Sequence, residues 1–222
     1  MASDVVFSFD TTGSMSPCIA DVRANVEKLC ANLFKDLPGL RIGVIAHGDY
    51  IDGDRCISLL PLTNDVAVIH KFFLETPNTG GGDAPECYEL ALHKGRTMDW
   101  RPEAHKLFIL IGDDQPHKPT YPGNTLQLDW KQELAGLKEI GVKVYPLKCL
   151  NCATDFFYQY IADLFETPLL RPTNFAGASE ILAGYVYASG GEEAFAGYEA
   201  NVSDVAAPFA EALRDESRKY GV

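Results

Sequence analysis

Cationic side chains are scarce in this chain of 222 residues: 19 Lys and Arg stand against 31 Asp and Glu, a formal charge of −12. Nucleic acids and anionic membrane surfaces need clustered cations, so neither is expected as the main partner. Cations themselves, or proteins with basic faces, suit the balance better. Long apolar runs are also missing. No stretch approaches the roughly 20 residues that cross a bilayer, so no membrane span is expected. The start, Met1 to Asp4, leads into a strand-like segment without a basic segment and cleavage site, which argues against a signal peptide. Of six cysteines only Cys149 and Cys152 form a C-x-x-C pair, and no second such pair or H-x-x-H exists to complete a zinc site. His117 is the one histidine expected near that pair, and two thiols in a loop remain the favoured reading of it. The other cysteines are scattered through helical and strand patterns, as suits reduced thiols in a cytoplasmic protein. There is no internal repeat, no low-complexity tract, and no Gly-Lys-Ser/Thr after Gly80-Gly81-Gly82 to make a phosphate loop.

What the chain does have is apolar residues, 46% of the total, in strands that alternate with helices. That alternation predicts an α/β fold: a Rossmann-like, doubly wound, mostly parallel sheet with one antiparallel edge strand and helices on both faces. The length suits one large domain over residues 1–190 with a C-terminal extension, 191–222, carrying an amphipathic helix over 205–219. That helix is expected either to pack back on the domain or to meet a partner.

The strand-like run Val5, Val6, Phe7, Phe9 stops at Asp10, where Thr11, Thr12, Gly13 and Ser14 follow. Ligands of open α/β sheets bind beyond the carboxyl ends of the strands, which is where Asp10, Thr12 and Ser14 fall. Hard divalent ions want oxygen donors, and one carboxylate with two hydroxyls supplies half an octahedral shell. A second strand, 40–47, leads into a loop with Asp49, Asp52 and Asp54, and His47 is a candidate hydrogen-bond partner of Asp49. A short edge strand at 56–60 and a helix over 66–74, capped by Asn64 or Asp65, come next. The glycine loop 78–83 then precedes a helix expected over 84–94, for which Asp83 is a plausible cap. A doubly buried strand, 106–112, ends in Asp113 and Asp114. Further helices are expected at 130–140, 156–165 and 178–187, with a strand between the first two and a short one at 169–170.

Three segments together, DTTGS at 10–14, NTGGGDAPE at 78–86 and LFILIGDDQPH at 107–117, resemble the von Willebrand factor A domain over roughly residues 1–190. The wording is most similar to intracellular members of that family, including those attached to α-kinases. The resemblance implies a metal-ion-dependent adhesion site. Its D-x-S-x-S motif falls on Asp10, Thr12 and Ser14, and its later aspartate on Asp113. The family's separate threonine ligand falls in the glycine loop, where Asp83 aligns best and Thr79 is the second choice. Asp49 and Asp114 form an acidic rim. The implied cofactor is Mg²⁺, with Mn²⁺ or Ca²⁺ as substitutes, and the implied function is metal-dependent recruitment of a protein partner, which could complete the ion's shell with a carboxylate. An anionic Asp83 would satisfy part of the ion's demand, favouring metal retention over capture of that carboxylate.

An enzymatic alternative rests on the same residues. DTTGS also resembles the phosphorylation motif of haloacid-dehalogenase-type phosphotransferases, with Asp10 as nucleophile and Mg²⁺ held by Asp113 and Asp114. Against it, the second aspartate expected two positions on is Thr12. Neither Ser14 nor Ser16 has an identifiable His/Asp relay, so hydrolase chemistry on serine is unsupported.

Overall fold

The computed structural model describes residues 2–82, 84–150, 154–172 and 177–220. Five strands form the main sheet: β1 (Ser3–Asp10), β2 (Leu40–His47), β3 (Ile57–Thr63), β5 (His105–Gly112) and β7 (Val142–Lys148), in the order β3-β2-β1-β5-β7. All pairings are parallel except that of edge strand β3 with β2, as the sequence predicts. Short strands β4 (Pro85–Glu86) and β6 (Gln115–Pro116) pair separately in parallel. The helices are α1 (Ser16–Asp36), α2 (Val66–Glu75), α3 (Tyr88–Arg96), α4 (Trp130–Glu139), α5 (Asp155–Phe165), α6 (Ala178–Ser189), α7 (Glu192–Glu199) and α8 (Ala207–Lys219).

Side chains alternate across β1, so its two faces feed two cores. Val5, Phe7 and Phe9 join Ile109 and Ile111 under α1, α2 and α6, while Val6 joins Phe108 and Leu110 under α3, α4 and α5. With both faces covered, every residue of β1 is buried. This accounts for the continuous apolar run in a strand that an exposed sheet would have made alternate. Aspartates start two helices: Asp65 accepts hydrogen bonds from the amides of Ala67 and Val68, and Asp129 from those of Lys131 and Gln132.

At the amino edge of β1, Asp4 accepts hydrogen bonds from Arg41 Nε at 2.9 Å and Nη2 at 2.8 Å, and from the Arg101 amide at 2.8 Å. Burial pushes its pKa up, but the two guanidiniums outweigh that and hold it below the usual carboxylate range. This edge is neutralised and tied down, in contrast to the opposite one.

Two segments depart from the sequence reading, and a third settles an alternative it left open. Helix α3 begins at Tyr88, with Cys87 before it, and not at 84; Pro85 and Glu86 are extended and take backbone partners from Gln115 and Pro116. The residue before a proline is disfavoured in helical geometry, which keeps Ala84 outside the helix. The expected cap, Asp83, lies outside the described residues. The strand expected at 169–170 is reduced to a single bridge between Leu147 and Leu170. Helix α8 takes the first of its two open outcomes and packs back, burying Ala210 and Leu213 in the larger core. Its Glu216 accepts a hydrogen bond from Tyr145 at 2.9 Å, below the sheet.

Candidate functional site

Strand order reverses between β1 and β5, the place where open α/β sheets hold ligands, and the carboxyl ends of these two strands deliver Asp10 and Asp113 side by side. Asp10 is fully buried. Its Oδ1 accepts the Thr12 amide at 2.8 Å and the Thr12 hydroxyl at 2.6 Å, and its Oδ2 accepts the Tyr88 hydroxyl at 2.8 Å. The Ser14 hydroxyl lies beside the Asp113 carboxylate and favours its charged form. Each hydroxyl is thus matched to one carboxylate. A hydroxyl that gives its proton to a carboxylate keeps its oxygen lone pairs for a second partner, which is the arrangement a hard cation requires. Thr12 is nearly buried while Ser14 is exposed, so the cradle opens to solvent on the Ser14 side.

Burial pushes Asp10, Asp113 and Asp114 up in pKa, against the hydrogen bonds from Thr12 and Tyr88 to Asp10, the Ser14 hydroxyl beside Asp113, and the hydrogen bond from the Gln115 amide to Asp114. Glu86 is the extreme case. Burial, followed by the negative charges of Asp10, Asp49, Asp114 and Asp52, drives it up to about 9. Among the described residues its Oε2 has no hydrogen-bond partner, and neither has Oδ2 of Asp49, which is also buried. Buried polar atoms are ordinarily paired, so two orphaned carboxylate oxygens at one sheet edge mark a deficit of positive charge. The glycine loop lies against them: a Cβ on Gly81 would come within 2.8 Å of Glu86 Oε1 and 3.4 Å of Thr12 Cγ2, and one on Gly82 within 3.4 Å of Asp49 Oδ2. Gly81 has φ of +63°, a backbone conformation that favours glycine.

Among the described residues, no three His, Cys, Asp or Glu side chains close on one another as a metal centre. The donors here are mixed, hydroxyls alternating with carboxylates.

The remaining predicted residues fall into place as follows. Thr79 is buried beside Thr11, hydroxyl to hydroxyl at 2.9 Å, with its amide donating to the Thr11 carbonyl; it braces the loop against the end of β1. Asp83, the other choice for the threonine position, lies outside the described residues. Asp49 is not hydrogen-bonded by His47. Its Oδ1 instead pairs with His117 Nε2 at 2.8 Å and accepts the Tyr50 amide at 2.6 Å. His47 faces Ser8 through Nδ1 at 3.4 Å, and its Nε2 has no partner among the described residues; burial holds its pKa down at about 3, so it is neutral. His117 is therefore committed to Asp49. Cys149 is buried against Cys18, and Cys152 lies outside the described residues.

Sequence spacing missed Glu86, Tyr88 and Glu89. Glu86 and Tyr88 read as the first turn of a helix, and only the pairing of β4 with β6 turns Glu86 toward the aspartates. Glu89 accepts the Tyr50 hydroxyl at 2.8 Å and the His117 amide at 3.0 Å, and burial pushes it up to about 7. The glycine loop followed by Pro-Glu was the one available signal.

Asp10 is not presented as a nucleophile. Both oxygens are engaged and no part of the side chain reaches solvent, so the phosphotransfer alternative finds no support.

The fold is a Rossmann-like, mostly parallel α/β sheet with one antiparallel edge strand, shared with the proteins to which the chain is similar. No family model matches the chain. Alpha-protein kinase vwkA of Dictyostelium discoideum is 28% identical over 139 residues, covering 57% of this chain and 22% of that protein. The chain thus spans about a fifth of the length of that relative. The open conformation of the pilus adhesin SpaC from Lactobacillus rhamnosus GG superposes with a TM-score of 0.60 at 15% identity, covering 83% of this chain and 29% of the adhesin. The conserved hypothetical protein BatB from Bacteroides thetaiotaomicron gives 0.56 at 14% identity, covering 82% of this chain and 96% of BatB. Proximal thread matrix protein 1 of the mussel byssus gives 0.63 at 17% identity, over 84% of this chain and 48% of its own. At these identities the structural neighbours establish the fold alone. No helix among the described residues is long and apolar enough to cross a membrane.

Proposed function

We propose that this chain is a von Willebrand A-type recognition domain that holds a divalent cation, Mg²⁺ or in its place Mn²⁺ or Ca²⁺, and uses that face to recruit a protein partner. The observation that carries the reading is the joint one: two hydroxyl–carboxylate pairs at the ends of β1 and β5, beside the orphaned carboxylate oxygens of Asp49 and Glu86. Thr12 and Ser14 would be the direct donors, with Asp10 and Asp113 behind them and Asp83 as a further anionic group. When bound, the ion supplies positive charge and a site for one more oxygen donor, from water or from a partner carboxylate.

Asp114 and Asp49 keep the rim negative, which attracts cations and disfavours acidic ligands other than one that reaches the ion. Ile51 is 69% exposed and borders the glycine loop at Gly82, offering an apolar contact next to the cradle. A recognition site of this kind needs no turnover chemistry.

Melting the protein in chelator and in Mg²⁺ tests the metal. At a cation concentration about 100 times Kd, binding adds about 2.7 kcal/mol of stability, and Asp10→Ala is expected to lose that gain. An unchanged melting curve with Mg²⁺, Mn²⁺ and Ca²⁺ alike would refute the reading. Capture of partners with and without EDTA then tests recruitment, and p-nitrophenyl phosphate is expected to remain unhydrolysed.

A further inference from the structure

Two pairs of cysteines meet outside the cradle. The thiols of Cys18 and Cys149 interact, but both are deeply buried. The thiols of Cys56 and Cys87 also interact, and they differ in access: Cys87 is fully buried just before α3, while Cys56, just ahead of edge strand β3, is partly exposed. One residue fixes both backbones. The Gly48 amide donates to the Cys56 carbonyl at 2.9 Å, and the Cys87 amide donates to the Gly48 carbonyl at 2.9 Å. Both side chains belong to one small apolar cluster, Cys56 packing against Cys87, Leu90 and Leu128.

We propose that Cys56 and Cys87 are a reversible redox pair that closes to a disulfide on exposure to a peroxide. An accessible sulfur beside a second, sheltered thiol is the arrangement of an attacking and a resolving cysteine. The Cys87 thiol beside it also favours the thiolate of Cys56, against the pull of burial and of Asp52, Asp49 and Asp54.

The step balances. The Cys56 thiolate attacks one peroxide oxygen, the O–O bond breaks, and the departing hydroxide takes a proton to become water, leaving a sulfenic acid. The Cys87 sulfur, giving up its proton, then attacks the Cys56 sulfur; the S–O bond breaks and hydroxide leaves with that proton as a second water. Two thiols lose two electrons and the peroxide gains them. The product would tie the end of the acidic loop after β2 to the residue that precedes Tyr88, and a dithiol would reopen it.

The test exposes the folded, reduced protein to hydrogen peroxide, quenches with alkylating agent in denaturant and maps the peptides. The expected result is loss of two of the six thiols, recovered as one Cys56–Cys87 linked peptide that dithiothreitol abolishes. Cys87→Ser should leave Cys56 as a sulfenic acid that dimedone traps, and Cys18→Ser should still form the link. A disulfide between any other pair, Cys149 and Cys152 included, would overturn the proposal, and so would six surviving thiols. The wild-type peptide map decides between these results even if Cys87→Ser does not fold.

Discussion

The Tyr88 hydroxyl has one proton, and it goes to Asp10 Oδ2; its oxygen faces the amides of Asp113 at 3.1 Å and Asp114 at 3.2 Å and the Tyr158 hydroxyl at 3.2 Å. One buried phenol therefore spans both strand ends that carry the cradle, and donors converging on its oxygen polarise the bond it makes to Asp10. Tyr88→Phe keeps the ring packing and strips out the hub. It leaves a buried carboxylate oxygen and two amides short of a partner, at an expected loss of about 2 kcal/mol or more in urea unfolding. If the cradle holds a cation as proposed, the same variant should also weaken Mg²⁺ binding in a titration, because the two carboxylates lose their common brace. Nothing in the spacing of DTTGS and GDD points to Tyr88. Asp10, Thr12, Ser14 and Asp113 were legible because oxygen side chains crowd apolar strand ends; Tyr88 was not, because its role depends on α3 lying over the β1–β5 junction.

That placement is an element-scale matter. The end of β5 reaches the Tyr88 hydroxyl only because residue 112 is glycine: a Cβ there would stand 1.9 Å from the oxygen. Gly112→Ala is expected to push α3 from the sheet and to cost about 3 kcal/mol, measured by thermal or urea denaturation, since neither backbone strand nor fully buried phenol can yield easily. The elements themselves were mostly readable. Both strands and helices were marked by their periodicity, and β2 over Leu40–His47 and the cap at Asp65 stand where the sequence puts them. The start of α3 was not readable, because the choice between helix and extended chain at Pro85 and Glu86 is made by strand β6, more than two dozen residues later in the chain.

For the whole molecule, charge and packing make separate predictions. Glu86 and Glu89 have folded pKa values raised to about 9 and about 7 from an ordinary 4.5. Stability from these groups is complete below pH 4.5 and is lost as pH climbs through the raised values, when each must ionise while buried. Asp4 acts in the opposite sense. Its folded pKa lies below 3.8, so its contribution is present above that pH and disappears as acid protonates it. Melting temperature in chelator is therefore expected to peak in mild acid and to decline toward pH 9, with Glu86→Gln flattening the decline. A flat profile between pH 5 and 9 would contradict the burial of Glu86. Removing the chain from residue 204 onward is expected to lower the melting temperature sharply, because Ala206, Ala210 and Leu213 leave the larger core and Tyr145 loses Glu216.

The sequence by itself determined the α/β class and the mostly parallel sheet with one antiparallel edge, and it marked Asp10, Thr12, Ser14 and Asp113 as candidate oxygen donors at strand ends. These follow from local facts: apolar periodicity, turn residues, and the rule that strand ends carry polar groups. The tertiary structure decided what those residues face. It brought Tyr88 beneath two aspartates, turned one oxygen each of Glu86 and Asp49 inward without a partner among the described residues, gave Asp49 to His117 in place of His47, and packed α8 back against α6 and α7. Each of these depends on contacts between segments far apart in the chain, and hydrogen-bond partnership and burial at such distances are properties of the packed molecule that no local pattern records.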